Sequence, residues 1–129
     1  MQLTSTVILT SDLQRLASFY EDLLEHAPTW YRDDYAEFET EGSTLALFTV
    51  EGHDTHIAPG AAEAAANRSM KIEFEVADVD AVADRLRGAR RRYDWVLHPP
   101  RDLPWGTRSI VLRDPEGHLI EIFAWQQAA

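Results

Sequence analysis

The sequence contains no cysteine. Disulfides, thiolate metal sites and nucleophilic-cysteine chemistry are therefore excluded. Long apolar runs are missing too; nothing approaches the roughly 20 residues a membrane-spanning helix needs. The opening stretch, MQLTSTVILTSD, has no basic segment leading into an extended apolar one, so no signal peptide is expected. The expected location is the cytoplasm. Positive charge is scarce as well: 12 Lys and Arg stand against 22 Asp and Glu, for a net charge of −10. The imbalance is concentrated in residues 1–69, with 3 basic and 12 acidic side chains, whereas residues 70–129 hold 9 and 10. Such a surface repels phosphate backbones, so nucleic acid is not an expected partner, and neither is a membrane. A small molecule carrying positive charge would be attracted. The one basic cluster, Arg85, Arg87 and Arg90 to Arg92, falls at an expected helix end, where it complements the helix dipole.

What is present is an ordinary globular composition, 45% hydrophobic and 26% charged over 129 residues, enough for one compact domain. The pattern along the chain occurs twice. TVIL reads as a strand, followed by a helix whose start offers Ser11 with Gln14 as a capping box and Asp12 as a cap. Leu13, Leu16, Ala17, Tyr20, Leu23 and Leu24 form its apolar face, and Pro28 stops it. Strands are expected near Trp30–Asp33, Tyr35–Glu39 and Thr44–Val50, with a turn at Glu41-Gly42. Residues 51–69, EGHDTHIAPGAAEAAANRS, read as a connector with at most one helical turn at AAEAAA.

The pattern then restarts. KIEFEV alternates Ile72, Phe74 and Val76 against Lys71, Glu73 and Glu75. Asp78 or Asp80 caps a helix with Val79, Val82, Ala83 and Leu86 inward and Gly88 at its end. Strands follow near Asp94–His98, Thr107–Arg113 and Leu119–Trp125. The expected fold is α+β: two βαβββ modules, approximately 1–50 and 70–129, making a single domain over 1–129.

Three stretches carry a family resemblance: SDLQRLASFYEDLL (Ser11–Leu24), VADVDAVADRL (Val76–Leu86) and PWGTRSIVLRDPEGHLIEIF (Pro104–Phe123). They resemble the vicinal oxygen chelate superfamily, which includes glyoxalase I, methylmalonyl-CoA epimerase, extradiol dioxygenases, fosfomycin-modifying transferases and bleomycin-resistance binding proteins. The last stretch is the most specific, with its Pro-Trp-Gly loop, Asp-Pro-x-Gly turn and Ile-Glu-Ile strand; His118 replaces the family's usual Asn. The resemblance implies paired modules curved into open cups and a homodimer. In metal-using members it also implies His, Gln or Glu ligands on the first and last strand of each module. Those places fall at Ser5 and Ala46 in the first module and at Lys71 and Glu121 in the second. Only Glu121 keeps a ligand type, so no metal and no cofactor are expected. His53 and His56 form an H-x-x-H pair, but in a stretch that reads as an exposed loop; His98 and His118 also read as surface residues.

Strand parity then fills the cup without an ion. If Glu121 faces inward, Phe123 and Trp125 share its side while Ile120 and Ile122 pack beneath the helices. Glu73, Glu37 and Phe48 point the same way, with Trp30, Tyr31, Tyr35 and Trp105 near the rim. The same alternation also describes an ordinary solvent-exposed sheet face, and Lys71 is placed to pair with Glu121 or Glu73 across neighbouring strands. The candidate ligand contacts are Trp105, Glu121, Glu73, Glu37, Phe48, Trp30 and Phe123. Two functions fit. One is metal-independent binding of a cationic, aromatic small molecule, with antibiotics as one candidate class, as the resemblance to bleomycin-resistance proteins implies. The other is a metal-dependent lyase, isomerase or dioxygenase similar to glyoxalase I, with Glu121 as lone ligand or as a base whose pKa is raised by burial.

Overall fold

In the computed structural model the chain is described over residues 1–89 and 96–126 and divides into two compact units, Met1–Ala66 and Asn67–Ala129. The first runs β1 (Ser5–Thr10), α1 (Leu13–Leu24), β2 (Thr29–Arg32), β3 (Tyr35–Glu39), β4 (Thr44–Thr49) and α2 (Val50–His56). The second runs β5 (Lys71–Glu75), α3 (Val79–Ala89), β6 (Val96–Asp102), β7 (Thr107–Arg113) and β8 (Leu119–Trp125). Each unit holds one four-stranded sheet, ordered β1-β4-β3-β2 and β5-β8-β7-β6. In both, the first and last strands pair in parallel, and the hairpin neighbours pair antiparallel. Two open sheets with matching topology are the expected α+β fold of paired βαβββ modules.

In the first unit the face of α1 carrying Leu13, Leu16, Ala17, Tyr20 and Leu23 is buried, as are Ala36, Phe38, Leu45 and Leu47 on the sheet. Each large apolar side chain so buried contributes roughly 1.5–3 kcal/mol. Phe19, outside the expected stripe, is buried too and meets Tyr20 edge-on at 5.1 Å. Asp12, rather than Ser11, caps α1 by accepting from Arg15 N at 3.2 Å. In the second unit Val79, Ala83 and Leu86 of α3 are buried together with Ile110, Leu112, Ile120 and Ile122. Asp78 caps α3 by accepting from Ala81 N. Asp80 instead holds Arg108, which also reaches Asp102.

Three expectations change. Residues 51–69 are not all connector, because α2 occupies the start; its cap is Thr49, whose hydroxyl accepts from Gly52 N at 2.9 Å. AAEAAA forms no helix, and Ala65 has φ 59°. A six-residue alanine-rich stretch is too short for its propensity alone to meet the cost of helix nucleation. Gly88 lies within the last turn of α3 rather than past it. The strand expected at Asp94–His98 runs instead through Pro99 and Pro100 to Asp102, its expected start lying outside the described residues. Proline lacks an N–H, and here the pair sits on an edge strand, between His98 and Arg101, where the register shifts. Arg90 to Arg92 of the basic cluster lie outside the described residues as well. Among the described residues no helix is long and apolar enough to cross a membrane.

Candidate functional site

Sheet register shows which positions correspond in the two units. Val7 pairs with Ala46 in the first, and Glu73 pairs with Glu121 in the second. Ser5 and Lys71 sit two residues earlier on their strands, so the four places expected for metal ligands occupy equivalent backbone positions. Their side chains do not fit a divalent ion. Ala46 is fully buried and offers no donor atom. The Lys71 ammonium lies 2.5 Å from Glu121 Oε1 and 3.3 Å from Glu73 Oε1. Its bond to Glu121 raises the Lys71 pKa, so the ammonium stays charged. A carboxylate already bonded to an ammonium, a serine and an alanine cannot supply the oxygen- and nitrogen-rich shell that such ions require. Among the described residues no group of three His, Asp or Glu is placed to hold a metal.

Glu121 is 6% exposed. Burial, the largest single influence, pushes its pKa upward, but its polar neighbours, Lys71 foremost, together hold the carboxyl below the usual glutamate range. Ser109 lies close enough to lower it further, although its buried hydroxyl oxygen makes no hydrogen bond of ordinary geometry. The expectation of a base with a raised pKa is therefore corrected: the lysine next to it reverses the sign. Phe123, on the same strand, is half-buried and meets Trp125 edge-on at 6.2 Å. Trp105 stands 66% exposed in the β6–β7 turn.

The first unit contains a cavity of about 400 Å³ lined by Tyr31, Arg32, Asp34, Tyr35, Glu37, Phe48 and His56. It forms where β3 and β4 bring Tyr35 opposite Phe48 and Glu37 opposite Ala46. Alanine at 46 is what leaves room beside Glu37. The Tyr35 hydroxyl donates to Glu37 Oε1 at 2.8 Å, and its ring lies 6.0 Å from that of Tyr31 and 5.5 Å from that of Phe48. Burial, and then the bond to Glu37 and its charge, push the Tyr35 pKa up to about 12. The charge of Glu37 is likewise the largest cause of the raised pKa of Tyr31. Both phenols stay neutral. Arg32 Nε sits 3.2 Å from Asp34 Oδ1, which offsets the one positive side chain at the cavity.

Sequence reasoning placed Glu37 and Phe48 in one ligand-facing set, and the structure brings these two together with Tyr31 and Tyr35. Trp30, also in that set, is 41% exposed and does not line the cavity. Glu73 and Glu121 are joined through Lys71 in the second unit. For His53, His56 and His118 the structure differs from the expectation of loop or free surface residues. His53 and His56 lie on α2, not in a loop: His56 lines the cavity, and His53 packs edge-on against Phe48 at 6.1 Å. His118 is not a free surface residue, since its Nδ1 lies 2.7 Å from the fully buried side chain of Asp114. The spacing that reveals this is Asp114 to His118 across the Asp-Pro-Glu-Gly turn, where Asp114 Oδ1 also accepts from the amides of Glu116 and His118.

A pair of open four-stranded sheets, each with its first and last strands paired in parallel, defines the class of paired βαβββ proteins. The family model for the Glyoxalase/Bleomycin resistance protein/Dioxygenase superfamily matches residues 2–122, and the chain belongs to that family. It is 26% identical to the uncharacterized protein YraH of Bacillus subtilis (strain 168), over 95% of this chain and 98% of that protein. Its fold matches a crystal structure of a glyoxalase/bleomycin resistance protein/dioxygenase from Nocardioides, with TM-score 0.80, 27% identity, and coverage of 100% of this chain and 86% of the other. A lactoylglutathione lyase from Agrobacterium tumefaciens, 20% identical with TM-score 0.71 over 95% and 92% of the two chains, shares the fold alone.

Proposed function

We propose that this chain binds a small cationic, ring-compatible molecule without a metal ion, as a sequestering protein of the bleomycin-resistance kind, in which an antibiotic would be one class of ligand. The observation that carries the reading is the Lys71 ammonium, which occupies a family ligand position and bonds the one remaining carboxylate there. A fixed positive charge repels an incoming divalent ion and occupies the oxygen that ion would need. The acidic, aromatic cavity of the first unit supplies the complementary feature, since rings and carboxylates favour a cation on the same physical grounds. The expected homodimer is part of the proposal. Elemental analysis of the purified full-length chain tests the first half: nickel, zinc, iron and manganese should all be far below one per chain. Calorimetric titration with a panel of cationic, neutral and anionic aromatic compounds tests the second. A stoichiometric metal lost on Glu121→Gln, or saturable binding restricted to anionic compounds, would overturn the proposal.

A further inference from the structure

The cavity of the first unit is narrower in its chemistry than a general site for cations. Tyr31, Tyr35 and Phe48 are not stacked: the ring planes meet at 59° between Tyr31 and Tyr35 and at 75° between Tyr35 and Phe48. Three rings at steep mutual angles along one open depression, with Tyr31 60% exposed at its edge, can offer a compact cation ring quadrupoles from more than one side. The net charge is fixed by the lining. Arg32 and Asp34 offset each other, which leaves the Glu37 carboxylate as the remaining acidic group of the lining.

Hydrogen-bonding capacity decides which cation fits. Glu37 Oε1 already accepts from the Tyr35 hydroxyl, and the charge of the same carboxylate acts on the Tyr31 phenol. A primary ammonium entering the cavity brings three N–H donors, each of which loses water and needs an acceptor. The acceptors left in the lining are the second Glu37 oxygen and the Asp34 carboxylate, the latter already paired with Arg32, too few to serve three N–H donors in full. A methylated ammonium has no such need, because its positive charge is spread over methyl groups that make apolar contact with the rings. Size points the same way. About 400 Å³ is at the low end of the roughly 300–1,000 Å³ of small-molecule sites, so the occupant is a compact molecule and not a large glycopeptide.

We infer that the first-unit cavity is an aromatic cage for a quaternary or highly methylated ammonium group, an inference that rests on the proposed binding of a cationic small molecule. The full-length chain is titrated with choline, with its neutral isostere 3,3-dimethylbutan-1-ol and with ethanolamine, followed by calorimetry and by the ring resonances of Tyr31 and Tyr35. Choline is expected to bind saturably and at least tenfold more tightly than either of the others. Glu37→Gln, which keeps shape and hydrogen bonding, should weaken choline at least fivefold and leave the neutral isostere unchanged. Phe48→Leu should weaken choline about tenfold, its folding being checked separately by thermal melting. Equal affinity for choline and its isostere overturns the cage. Tighter binding of ethanolamine, or of benzamidine as a planar cation, overturns the cage and leaves the broader cationic reading standing. No shift of either tyrosine with any probe overturns both.

Discussion

Replacing Lys71 with methionine removes the ammonium and keeps most of the side-chain volume. Glu121 then remains with 7% of its side chain exposed and no cation beside it. Breaking a fully buried pair by removing one partner costs about 3–5 kcal/mol, and an exposed pair contributes about 0–1 kcal/mol. Lys71 is 49% exposed, so water screens the pair and the cost falls between these limits, at about 2 kcal/mol at pH 7. The pH dependence identifies the cause. In the native protein the Glu121 pKa is depressed, so its contribution is present above the unfolded value of 4.5 and lost as pH falls through the folded value. In the variant the lowering by Lys71 is gone and burial, opposed only by Ser109 and Glu73, raises the pKa, so the penalty is full at neutral pH and disappears once the carboxyl is protonated. The gap between the two proteins should therefore shrink from about 2 kcal/mol at pH 7 to well under about 1 kcal/mol at pH 4. Urea unfolding followed by tryptophan fluorescence at both pH values measures it. The double variant Lys71→Met/Glu121→Gln should recover most of the loss at pH 7, since no buried charge is left unpaired. An equal loss at both pH values, or none, would show that the ammonium does not hold Glu121 ionised.

Two further changes probe the turn and the short helix. The His118 pKa is raised chiefly by its bond to Asp114, so the stability from that pair is complete below the unfolded value of 6.5 and lost as pH rises through the folded one. His118→Asn should therefore cost about 1 kcal/mol at pH 6 and less at pH 9 by thermal melting, and a pH-independent difference would refute the pairing. At Gly52 an added Cβ would lie 2.5 Å from Phe48 Cε1 and 2.7 Å from Asp34 Oδ2. Gly52→Ala gains roughly 1 kcal/mol of helix propensity against about 1–3 kcal/mol of overpacking. The expected net is a loss of about 1 kcal/mol together with weaker cation binding, as Phe48 is driven toward the cavity. A stabilised variant would show that α2 lifts away freely.

Legibility in the sequence followed the strength of each local signal. Strict alternation fixed β5 and β8 and put Lys71, Glu73 and Glu121 on one face, so the pairing of Lys71 with both glutamates was within reach of parity alone. The four-residue gap between Glu39 and Thr44 reads as a turn in the sequence and is one, with Thr40 and Ser43 bonded across it. The cavity was half-legible. Glu37 and Phe48 are a matter of strand parity, but that Asp34 and His56 join them depends on α2 folding back against β4. Nothing in GHDTH favours a helix; Gly52 is tolerated there because the absence of a side chain permits the close approach of Phe48. Tertiary contact decides, and no window of sequence contains it. His118 was missed because a turn histidine looks solvated until its partner is known to be buried.

The two prolines of β6 have an effect beyond shaping their strand. Pro99 and Pro100 lie on the outermost strand of their sheet, where unpaired amides would otherwise invite another polypeptide to add on. Two consecutive residues without a donor, next to a slipped register, give an incoming chain no continuous row of amides to bond. The sheet thus ends there by chemistry, and amyloid-like growth from that border is resisted even if the neighbouring segment opens.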